Sequence, residues 1–128
     1  NRPDDDYVGL FDEHVGGSAI VKNLGLVGGD ISGNTVVGGL VSMTNGFIFN
    51  CYTSCIVNGV DMAGGMAGYV MGGGSTLTDC HATGTVTGQG DVGGLVGYSD
   101  GTLTNCYARG TVSGEPPVAW SDGAAPIP

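Results

Sequence analysis

The chain is poor in positive charge. Lys and Arg together number three against twelve Asp and Glu, a formal net charge of −9 over 128 residues. Such a surface repels a phosphate backbone, which excludes nucleic acid as an expected partner. Charged residues of both signs make up only 12%, too few for a coiled coil, a charge-rich disordered tail or an ordinary helical bundle. No apolar run approaches the roughly 20 residues that cross a bilayer as a helix, so no membrane insertion is expected. The chain starts at Asn1 with neither an initiator Met nor a basic-then-apolar leader, which reads as a processed chain or a cut piece. Helical periodicity is missing throughout, and each interior Gly costs a helix about 1 kcal/mol relative to Ala.

Glycine is what the chain has in excess, 27 of 128 residues against a usual share of about 7%. The glycines do not recur every third residue, which rules out collagen. They recur instead with a longer period. Val37-Gly38-Gly39-Leu40-Val41 leads to Phe47-Ile48-Phe49-Asn50-Cys51-Tyr52 and Val57-Asn58-Gly59. Ala63-Gly64-Gly65-Met66-Ala67 leads to Thr76-Leu77-Thr78-Asp79-Cys80-His81 and Val86-Thr87-Gly88. Val92-Gly93-Gly94-Leu95-Val96 leads to Thr102-Leu103-Thr104-Asn105-Cys106-Tyr107 and Val112-Ser113-Gly114. A weaker copy, from Val8-Gly9-Leu10-Phe11 through Val21-Lys22-Asn23-Leu24 to Ile31-Ser32-Gly33, precedes them.

Within a copy the polarity alternates with period two, the mark of a strand with one buried face. About three short strands per copy are expected. One such coil buries almost nothing alone, so the copies must stack, with like residues at the strand spacing of about 4.8 Å. Three interior ladders follow: Leu24, Cys51, Cys80 and Cys106; Val21, Ile48, Leu77 and Leu103; Ile31, Val57, Val86 and Val112. The expected fold is all-β, a parallel β-helix (β-solenoid) of about four coils with irregular N- and C-terminal arms. An antiparallel sandwich would not require inward residues to match at a fixed period. The expected organisation is an acidic arm over 1–6, repeats over 7–33, 34–59, 60–88 and 89–114, and a Pro-rich tail over 115–128. Insertions in the first repeat (Glu13 to Gly17, holding His14) and the third (Val70 to Ser75) mark exposed turns.

The segment from Val92 to Tyr98, followed by Gly101 to Gly114, closely resembles the GLUG-motif repeat. That resemblance implies a β-solenoid scaffold from large secreted microbial surface and adhesin-like proteins. It also implies a second setting, an accessory domain beside the catalytic domain of a secreted peptidase, with the active site elsewhere. A scaffold motif specifies a fold more than a function. The expected role is a non-catalytic structural or adhesive module, a stalk, adhesin segment or filament subunit, extracellular or at the cell surface. It would meet a protein or glycan partner, stack end to end, or continue a longer solenoid.

The chemistry-bearing residues fit that reading. Asn23, Asn50, Asp79 and Asn105 form a corner ladder, where Asn satisfies turn backbone groups. The cysteines are expected to be mostly free buried thiols, with Cys51 and Cys55 the pair to test for a bridge. Cys80 and His81 are adjacent on a strand and point to opposite faces, so they cannot grip one ion; no metal or cofactor is expected beyond weak surface calcium at Asp4-Asp5-Asp6. Asp61 and Asp91 are aligned at one turn position. Phe49, Tyr52, His81, Tyr98, Tyr107 and Trp120 are the candidate contact surface. Threonine rows (Thr76-x-Thr78 on Thr102-x-Thr104) raise ice binding as a third function, which thermal hysteresis would decide.

Overall fold

The structure, a computed structural model, describes residues 6–15 and 19–113, with side chains throughout except at 12–15. Among these residues there is no helix; short strands wind into a parallel β-solenoid of about four turns. Four stacks of strands form its walls. The first holds Tyr7–Val8, Val36–Gly38, Met62–Gly64 and Asp91–Gly93. The second holds Phe11–Val15, Val41–Thr44, Ala67–Val70 and Val96–Ser99. The third holds Ile20–Lys22, Phe47–Phe49, Thr76–Thr78 and Thr102–Thr104. The fourth holds Gly25–Ser32 and Tyr52–Asn58, and above them the split pairs His81–Ala82 with Val86–Thr87 and Tyr107–Ala108 with Val112–Ser113.

Each coil therefore has four walls, where alternation in the sequence suggested about three strands. The first and second walls were hidden because they are nearly continuous small and apolar text: Val96–Ser99 is buried at three of its four positions. Buried Gly97 leaves no room for a Cβ, which would lie 2.7 Å from the Gly68 carbonyl oxygen. The fourth wall breaks at Gly84 and Gly110, where Cys55 carries the strand through.

Like residues lie over like. Val21, Ile48, Leu77 and Leu103 are in register, as are Ile31, Val57, Val86 and Val112. Two alignments differ from expectation. Asp91 pairs with Met62, so Asp61 meets Gly90 instead, and the two carboxylates are offset by one residue. His14 is not in a loop; it lies in the second wall paired with Met43. The insertion of the later copy does form an exposed turn, Gly73 and Gly74 having φ of 82° and 100° and nothing near a would-be Cβ. Residues 16–18, the rest of the first insertion, lie outside the described residues, as do 1–5 and 114–128.

The interior is divided in two. One apolar cluster gathers Leu40, Ile48, Cys51, Met66, Leu77, Cys80 and Leu95; the other gathers Val37, Cys55, Val57, Ala63, Val86 and Val92. Between them the double-glycine corner joining the first and second walls is pinched against the fourth. A Cβ on Gly39 would lie 2.7 Å from the Cys55 sulfur, and one on Gly65 would lie 2.9 Å from Ala82 Cβ while colliding with the Gly94 carbonyl oxygen above. These glycines serve close approach, both across the coil and along the stack. The pinch also disposes of the Cys51–Cys55 bridge. Both thiols are free and lie in different clusters, and four residues of extended strand span about 13 Å, beyond the roughly 7 Å that a disulfide tolerates.

Replacing Gly65 by Ala is expected to lower stability by about 1–3 kcal/mol, the usual cost of overpacking. Gly72→Ala, whose Cβ would sit 3.6 Å from its nearest neighbour, is expected to be near neutral. Urea melts of the two variants check this; equal midpoints would contradict the pinch.

Candidate functional surfaces

Each coil turns from its third to its fourth wall at one residue in the left-handed region: Asn23, Asn50, Asp79 and Asn105 have φ of 56°, 52°, 55° and 54°. Asn and Asp are the non-glycine residues that adopt this conformation most readily. Asn50 Nδ2 donates to Asn23 Oδ1 at 2.8 Å, and Asn105 Nδ2 donates to Asp79 Oδ1. Donation runs toward the N-terminal neighbour at each link. The middle step has no such link, because the Asp79 carboxylate has no donor for Asn50.

The next residue carries the thiol column. Cys51 Sγ donates to the carbonyls of Phe49 (3.2 Å) and Val21 (3.7 Å). Cys80 Sγ donates to Thr78 (3.3 Å) and Ile48 (3.6 Å), and Cys106 Sγ to Thr104 (3.2 Å) and Leu77 (3.4 Å). Each thiol thus touches its own coil and the one before it; Leu24 fills the same place in the first coil with apolar surface. Cys51 and Cys80 are fully buried, whereas Cys106 is half-buried. Burial pushes the Cys51 and Cys55 thiols up. A hydrogen bond to Cys106, then burial, raises Cys80, while the Cys80 thiol holds Cys106 down to about 7.

The candidate contact residues do not form one surface. Tyr52, His81 and Tyr107 stack on the fourth wall, with ring centroids 5.4 and 4.9 Å apart and planes within 9° and 2°. The Tyr52 ring covers Gly25 below, and the Arg109 guanidinium lies 5.5 Å from the Tyr107 centroid. Phe49 is on the third wall, stacked with Phe47 at 6.1 Å. Tyr98 is on the second, 5.5 Å from Tyr69, whose hydroxyl donates to Asp100 Oδ2 at 3.0 Å; that bond raises the Tyr69 phenol. Tyr69, Phe47 and Arg109 were not among the candidate contact residues, although Tyr69 occupies the same repeat position as Tyr98. Trp120 lies outside the described residues. The four threonines make a two-by-two block on the third wall, bordered by Phe47 and Phe49.

Of the acidic run, Asp4 and Asp5 lie outside the described residues. Asp6 Oδ1 accepts from Asn34 Nδ2 (3.1 Å) and Thr35 Oγ1 (2.9 Å), tying the first coil to the second. Among the described residues, no three His, Cys, Asp or Glu side chains converge as a metal site. No helix among them is long and apolar enough to cross a membrane.

Two predictions follow from these columns. Asp79→Asn supplies the missing donor and is expected to stabilise the chain by about 0.5–1.5 kcal/mol, read as a higher melting midpoint; Asn50→Ala, which loses a link and strains φ, is expected to lower it. The thiols set the alkaline behaviour. Cys106, held low in the fold, adds stability as pH rises from about 7 toward the ordinary thiol value of 9.0. Cys51 and Cys55, held above that value, keep protons that the unfolded chain releases, so stability falls as pH rises beyond 9.0. Melting midpoints across pH 6–11 check both limbs, and Cys106→Ser should remove the rise.

The family model described as the GLUG motif matches twice, at residues 61–87 and 88–113. Neither the curated proteins nor the solved structures yield a match to the chain. Each matched segment contains one complete turn of the solenoid, from the first wall through the fourth. Residues 61–113 are thus two GLUG-motif repeats in tandem.

Proposed function

We propose that the chain is a non-catalytic structural and adhesive module, a stalk or adhesin segment held outside the cell at a microbial surface. The observation that carries this reading is the use of its polar and sulfur side chains between coils. Corner amides bond corner side chains, thiols bond the carbonyls of the coil before, and the aromatic column stacks on itself. Groups engaged in this way build a stiff rod rather than a reacting cleft. The extracellular setting comes from the GLUG-repeat resemblance.

The aromatic column favours a protein partner over a sugar. Both faces of His81 are covered by Tyr52 and Tyr107, so the column offers ring edges, while Tyr52 and Tyr107 remain about two-fifths exposed. Edges and hydroxyls suit a protein surface, since Tyr pairs apolar area with a polar tip. Stacking on a sugar ring needs an open aromatic face.

A stalk segment also fits better than a filament subunit. Among the described residues, both register irregularities fall in the first coil, between Phe11 and His14 and between Val27 and Asp30. A net charge of −9 adds repulsion between copies stacked end to end.

Beads coated with the full chain are expected to be retained on immobilised extracellular protein and not on a glycan array. Tyr52→Ala with Tyr107→Ala should cut retention about tenfold or more while the fold persists by circular dichroism. Retention unchanged by the double variant would overturn the adhesive reading. Sedimentation velocity should show one monomeric species at every concentration and salt level; growth with concentration would restore the filament.

A further inference from the structure

Three cysteines at one repeat position are chemically alike in sequence and unlike in the fold. Cys51 and Cys80 are each 1% exposed, while Cys106, at the C-terminal end of the column, is only partly covered. Cys80 and Cys106 immediately precede His81 and Tyr107, which are register partners on adjacent strands. Their Cα atoms are thus about one strand spacing apart, ~4.8 Å, inside the range of about 4.4–6.8 Å that a disulfide spans. Cys55 is excluded from this pair because it lies in the other interior cluster.

We infer that Cys106 is the oxidation-sensitive thiol of this solenoid and that Cys80 is its resolving partner, the two forming a disulfide that staples the fourth coil to the third. With a small-molecule disulfide as oxidant, the Cys106 thiolate attacks one sulfur. The oxidant's S–S bond breaks, one thiolate leaves, and a mixed disulfide remains on Cys106. Cys80 then gives up its proton to solvent and attacks the Cys106 sulfur, expelling the second small thiol. Two protein thiols are oxidised and one disulfide is reduced to two thiols, so the electrons balance. The hydrogen bond that holds Cys106 down favours the first step, and the raised Cys80 thiol makes the second slower. In-register side chains leave the Cβ vectors nearly parallel, so the bond forms under strain and is readily reduced again.

The test uses the reduced full chain with excess oxidised glutathione, followed by alkylation and peptide mass mapping. Glutathione is expected first on Cys106 alone, then a Cys80–Cys106 linked peptide, with Cys51 and Cys55 alkylated only after denaturation. Cys80→Ser should stop at the mixed disulfide on Cys106, and Cys106→Ser should leave the folded chain unreactive, both variants folding by circular dichroism. The oxidised wild type should melt higher than the reduced form, and Cys80→Ser should show no such gain. Early modification of Cys51 or Cys55, a wild-type mixed disulfide that never resolves, or no reaction at Cys106 would each overturn the assignment.

Discussion

In-register stacking of one coil on the next is the constraint on which this molecule depends. Strands of two to four residues, as most of these are, cannot hold a sheet by themselves. Each survives because its backbone groups bond the same strand of the neighbouring coil, and because its side chain lies over a like side chain. Residue choice at any position is therefore judged against the coil above and below. Gly65 must be small because the Gly94 carbonyl sits over it and Ala82 faces it. Asn23, Asn50, Asp79 and Asn105 must all accept the left-handed region because the same corner recurs in every turn.

Repetition also multiplies weak interactions. A single thiol-to-carbonyl contact contributes little, but three of them, each reaching to the coil before, form a continuous seam beside the corner amides. The aromatic column works in the same way on the outside of the fourth wall. Such columns run from coil to coil and pattern the exterior of the solenoid. The pattern is imperfect at Asp79, where a carboxylate interrupts the chain of amides, and in the first coil, where two bulges interrupt the walls.

Position along the axis then differentiates residues that the repeat made alike. Leu40, Met66 and Leu95 are sealed, while Leu10 of the first coil is 49% exposed. The thiols show the same effect from the other end, Cys106 being less covered than Cys51 or Cys80. Solvent access and neighbouring polar groups decide the chemistry of a thiol.

The sequence by itself determined the architecture. A repeat of near-constant length with matched inward residues leaves stacking as the economical way to bury them, and the ladders of Ile48, Leu77 and Leu103 or Val57, Val86 and Val112 could be written down from spacing alone. The fourth wall of each coil, the pinch at the double glycine and the separation of Cys51 from Cys55 could not. Each depends on how far the chain bends at a corner and which backbone it meets across the interior, and glycine, having no side chain, leaves no periodicity to read. Whether Phe49, Tyr52 and Tyr98 share a surface was likewise decided only by the tertiary structure, because the wall a residue faces is set by the turns between strands. Those turns are governed by local conformation and by contacts with other coils, neither of which is encoded in the repeat spacing.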